Sequence, residues 1–139
     1  QVKASLADNI AQGQALSGPD VGRAEVLHTA LFHRVRDFFE TFDALLMPVT
    51  QVSPFPIEQE YPTEIAGVEQ PDYLSWMRSA YLISATGSPA LSVPAGFTAG
   101  GLPVGLQIVG PHHADLLVLQ LGHAFERATG HGRRRPDLG

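Results

Sequence analysis

Six histidines, a serine at position 88 and a single lysine carry most of the reactive side-chain chemistry open to this sequence. Nucleophilic catalysis needs an activated side chain with a base in reach. No Gly-x-Ser-x-Gly stretch is present, so there is no nucleophile elbow. Ser88 lies in Gly87-Ser88-Pro89, where the proline suits a strand entrance and the serine reads as a turn residue. His28 and His33 are five apart and do not share a helix face as a zinc pair at i, i+4 would. His112-His113-x-Asp115 could suggest a metal, but adjacent loop residues do not converge easily and no further ligand is evident. Asp115 reads more simply as the N-cap of the last helix. Neither a metal nor a cofactor is therefore expected. Tyr73, Trp76, Met77 and Tyr81 are the remaining candidates, as an apolar pocket wall or as plain core.

The composition bounds what these residues can serve. The chain has 139 residues, 44% of them hydrophobic and 17% charged, the profile of one folded unit rather than a disordered tail. Its net charge of −5 is spread along the chain, which argues against a nucleic-acid surface. The one basic run, Arg133-Arg134-Arg135, reads as a solvated tail. There are no cysteines, so disulfides, zinc–thiolate sites and a cysteine nucleophile are excluded; a cytoplasmic setting fits. No apolar run approaches the ~20 residues that span a membrane. Starting at Gln1 without a signal-peptide pattern, the chain reads as a piece of something longer.

The elements that must position the candidates follow from periodicity. Residues 3–16 read as a short helix with Leu6 and Ile10 on one side. Ser17-Gly18-Pro19-Asp20 is a breaker, with Asp20 as N-cap of a helix from Val21 to Phe42. Along it Ala24, Leu27, Leu31, Val35, Phe38 and Phe42 recur at spacings of three and four. Residues 43–48 look like a strand buried on both faces, built for a neighbour on each side in a longer protein, so this chain alone is expected to leave a strand edge unpaired. Residues 49–72, rich in proline, predict a long loop. Residues 72–85 predict a helix bearing the aromatic candidates on one face. Residues 90–97 and 103–109 predict a hairpin turning at Thr98–Gly101, with Gly105 marking close approach by another element. Residues 114–128 predict a closing helix that stops at Gly130. The pattern is α/β.

The segment Thr86–Gly110, TGSPALSVPAGFTAGGLPVGLQIVG, strongly resembles the C-terminal region of amidase-signature enzymes. Residues 43–48 look like that family's preceding strand and 115–129 like its closing helix, so the resemblance covers about 43–130. It implies that residues 1–139 are one fragment: the C-terminal part of a mixed-sheet fold with helices packed on the sheet. It implies amide hydrolysis by a Ser–cis-Ser–Lys triad lying far upstream. None of that triad maps here, because Lys3 is the only lysine and no two serines are adjacent. The chain is therefore expected to be inactive alone, to contribute scaffold and one wall of a small-amide pocket, and to self-associate through the surface left uncovered. Two departures bear on substrate. Ser84 stands where the family often has asparagine. Met77 stands where members that transfer ammonia from glutamine to misacylated tRNA carry an acidic residue. Met77 favours a more apolar amide over the alternative, the A subunit of a glutamine-dependent aminoacyl-tRNA amidotransferase. A non-catalytic binding or assembly module is the remaining alternative.

Overall fold

The structure, a computed structural model, describes residues 3–134; Arg135, the end of the basic run, lies outside them. Helix α1 spans Ala4–Ala15 and α2 spans Gly18–Phe39. The second helix starts earlier than its apolar period suggests, and Asp20 is not its N-cap. Ser17 is: its hydroxyl accepts the Asp20 backbone N–H, while the Asp20 carboxylate accepts the Ser17 N–H. This reciprocal box satisfies donors that would otherwise be orphaned, and Pro19 fits the first turn, where no N–H is needed. Beyond the last turn Phe42 stacks on Phe38 at 4.7 Å.

Strand β1 (Leu45–Pro48) pairs antiparallel with β5 (Pro103–Val109), which pairs antiparallel with β4 (Ala90–Phe97), giving the order β1-β5-β4. The hairpin expected over 90–109 is present. Thr98 N–H donates to Leu102 O, the Thr98 hydroxyl accepts the Leu102 N–H, and Gly101 takes the positive φ of +81° that closes the turn. A bulge between Pro94 and Gly96 bends β4. β1 is a sheet edge among the described residues, in line with the unpaired edge expected of this chain, but it is not buried on both faces: Leu46 is 58% exposed. The long loop carries a small hairpin of its own, β2 (Glu64–Ile65) with β3 (Val68–Glu69), turned by Ala66 and Gly67 at φ +51° and +80°.

Successive residues of β5 face opposite sides. Ile108 packs with Val93 of β4 and Val118 of α4 (Asp115–Thr129). Leu121, Gly122 and Phe125 continue the α4 stripe, and a Cβ on Gly122 would lie 2.3 Å from Leu91 Cδ2. That glycine is what lets α4 sit so close to the sheet. On the other face Val109 and Leu45 share a cavity of about 290 Å³ with Leu31, Val35 and Phe38 of α2. Those three α2 side chains are half-buried, while Leu27 and Phe42 of the expected stripe, and Val26, are exposed. The last helix begins at Asp115 with Ala114 as N-cap, so Asp115 is not the cap. Its carboxylate stands in the first turn, where the helix dipole favours negative charge. Gly130 ends α4 in the left-handed conformation, φ +67°, as a C-terminal glycine should.

Candidate functional site

The segment expected as one helix over 72–85 is three pieces. Asp72 Oδ1 accepts the backbone N–H groups of Leu74 and Ser75. A 3-10 turn follows at Ser75–Met77, then α3 at Arg78–Ser84. The hydrogen bonds to Asp72, the Ser75 N–H first, hold its carboxyl below the usual carboxylate range. Because a 3-10 turn advances three residues per turn instead of 3.6, Tyr73, Trp76, Met77 and Tyr81 do not form one stripe.

Instead Trp76 lines one cleft, and Tyr73 and Tyr81 line another. The first, about 550 Å³, lies among the Pro48–Phe55 loop, Trp76, Ser92 and Gly105, a size that suits a small ligand. Phe55 meets the Trp76 ring edge-on at 5.6 Å, and the aromatic run continues through Tyr73 and Tyr61 at 6.1 Å steps. The loop is tied to the first turn of α3: Ser79 N–H donates to Gln51 Oε1 at 3.2 Å and the Ser79 hydroxyl to Val49 O at 3.0 Å. Gly105 faces this loop, and a Cβ there would stand 2.9 Å from Val49 Cγ2, the close approach that a glycine within a strand implies. The second cleft, about 480 Å³, is bounded by Asp8, Asn9 and Gln12 of α1 and by Asp72, Tyr73 and Tyr81. Tyr81 is 40% exposed. Met77 is half-buried and lines neither cleft.

Gln107 was not singled out by its sequence context. It lies on the face shared with Gly105, opposite Met47 and Ser92 in register. It is buried, and its Oε1 has no partner among the described residues. The available signal was a lone amide within an otherwise apolar strand. Ser88 behaves as a turn residue: its N–H donates to Thr86 Oγ1, and its own oxygen is buried. The Lys3 ammonium lies 6.0 Å from the Tyr73 ring centroid. The hydroxyls of Ser75, Ser79 and Ser84 turn to Asp72, Val49 O and Ala80 O. The arrangement can bind an apolar or aromatic group, and these serines are committed to structural bonds rather than to a base.

The family model described as Amidase matches residues 6–119. The chain belongs to the amidase family. An acylamidase of Rhodococcus erythropolis is 34% identical over 90% of this amidase-family chain and 26% of its own length. The A subunit of a glutamyl-tRNA(Gln) amidotransferase from Moorella thermoacetica is 41% identical over 75% of the chain and 20% of its own length. Among solved structures, a bacterial aryl acylamidase of the amidase-signature family superposes with a TM-score of 0.83 at 30% identity, covering 98% of the chain and 29% of that protein. The chain thus spans about a quarter of the length of the curated relatives it matches. The expected mixed architecture of helices on a sheet is that of this family.

Proposed function

We propose that the chain is the C-terminal portion of an amide hydrolase, giving scaffold and one wall of a pocket for a small, apolar amide. Trp76, with Phe55 across the cleft, forms that wall, and Tyr73 extends the aromatic run behind it. The observation that carries this reading is the aromatic-lined cleft on a fold superposing at 0.83 on an aryl acylamidase. The Ser–cis-Ser–Lys chemistry comes from residues outside the chain. Without cysteine the protein suits a cytoplasmic setting. Its spread negative charge suits a small-molecule substrate better than a nucleic acid. No described helix is long and apolar enough to cross a membrane.

The second reading, the A subunit of a glutamine-dependent amidotransferase, is favoured by the 41% identity to the Moorella protein. Met77, half-buried beside the clefts, offers no charge to hold the α-amino group of glutamine. The test is turnover by an enzyme that carries this chain together with a Ser–cis-Ser–Lys portion. Release of aniline from acetanilide with little deamidation of glutamine to glutamate is expected. Preferential deamidation of glutamine selects the second reading.

A further inference from the structure

Helix α3 has seven residues, none of them buried, and a helix that short has little stability of its own. Its placement must come from its ends. The N-terminal end is held by the two Ser79 bonds to the Val49–Gln51 loop. The C-terminal end is held by two imidazoles from distant parts of the chain. His28 of α2 lies 2.9 Å from Ala85 O through Nε2. His112, between β5 and α4, lies 2.8 Å from Thr86 O, also through Nε2. A carbonyl oxygen only accepts, so each ring carries its proton on Nε2.

The two rings cap a pair of successive carbonyls where the helix leaves such groups unpaired. The surrounding bonds complete the turn. The Thr86 hydroxyl donates to Ile83 O, and Gly87 N–H donates to Ser84 O. Gly87 takes a φ of +69°, and a Cβ there would stand 3.5 Å from His112 Nε2. Phe32, one helical turn after His28, packs on the His112 ring at 4.6 Å. The same stretch of α2 therefore supplies one donor and the ring that orients the other.

We propose that His28 and His112 are positioning residues for the pocket wall, locking the C-terminal end of α3 so that the 3-10 turn at the helix's opposite end holds Trp76 against Phe55. This rests on reading Trp76 and Phe55 as the wall of the amide pocket. The experiment compares His112→Gln with His112→Asn. Glutamine carries an N–H out to about the place of Nε2, whereas asparagine falls short. Trp76 is the only tryptophan and its indole nitrogen is buried, so hydrogen exchange of its indole N–H reports opening of this wall alone. His112→Asn is expected to speed that exchange about two- to tenfold, the worth of one lost hydrogen bond. The Ile108 and Val109 amides should change less, and His112→Gln should stay within about twofold of the parent chain. In the enzyme, the same pair should separate in KM for acetanilide with kcat little changed. Indole exchange that is unmoved by His112→Asn, or that moves no more than the Ile108 amide, overturns the clamp and leaves the pocket reading standing. Faster exchange with an unchanged KM overturns the positioning role together with the pocket-wall reading.

Discussion

At the scale of single residues, closeness of approach decides what is tolerated. Gly110 is buried at the end of β5, and a Cβ there would lie 2.5 Å from Val118 Cγ2. Val118 is itself buried, and a valine on a helix has essentially one side-chain rotamer, so it cannot swing away. Gly110→Ala is expected to cost about 1–3 kcal/mol, as overpacking does; urea denaturation measures it, and an unchanged midpoint would show that α4 shifts freely. Trp76 is the opposite case. It is half-buried between Phe55 and Tyr73 at the mouth of a cleft. Trp76→Ala should change the enzyme's preference between aryl and alkyl amides more than its stability. A large fall in Tm with unaltered preference would make Trp76 ordinary core.

At the scale of elements, the start of α2 makes a pH prediction with a definite sign. The Ser17 hydroxyl, then the Ser17 backbone N–H, hold the Asp20 carboxyl below its ordinary value. A depressed folded pKa contributes stability above the unfolded value of about 3.9 and loses it as pH falls through the folded one. The first turn of α2 should therefore fray on acidification below that range. Asp20→Asn should fray it already at neutral pH and flatten its response to acid. Amide exchange of residues 20–22, followed against pH, reads both effects. If Asp20→Asn exchanges like the parent chain at neutral pH, the box does not hold the helix. Asp72, held below its usual range by the 74–75 backbone N–H groups, should behave with the same sign at the start of the 3-10 turn.

At the scale of the whole molecule, two expectations follow from what is uncovered. The first is that the purified chain does not hydrolyse acetanilide. Its single lysine lies beside Tyr73, and Ser75, Ser79 and Ser84 are spent on structural bonds. Turnover above a heat-denatured control would refute this. The second is self-association. Val26 and Leu27 on α2, Leu46 on the outer strand and Leu6 and Ile10 on α1 all stand exposed. The outer edge of β1 is free of proline until Pro48, whereas β4 carries Pro94, which blunts pairing along that edge. Association is thus expected on the β1 side, and light scattering on dilute samples measures it. A stable monomer that binds no apolar dye would mean that the chain covers its own core.

Much of this was legible because it is local. The 90–109 hairpin and the stop at Gly130 each follow from the stereochemistry of a few neighbouring residues; the glycine at 105 signalled a close approach, though its partner Val49 is supplied by the fold. The family resemblance lay in the same stretch, 86–110, and the match over 6–119 agrees with it. Other features depended on partners far along the chain. Residues 72–85 are as apolar in pattern as a helix, yet Asp72 captures the 74–75 backbone N–H groups and breaks the period. The aromatic candidates consequently face two clefts. Residues 45–48 are apolar throughout, but whether such a strand is central or at an edge depends on which other strands reach it. His28 and His112 showed no common spacing, because their targets are 57 and 26 residues away in the chain. Backbone preference and side-chain periodicity act over a few residues and can be read in order. Edges, clefts and long-range hydrogen bonds exist only once distant segments meet, and the tertiary structure alone decided them.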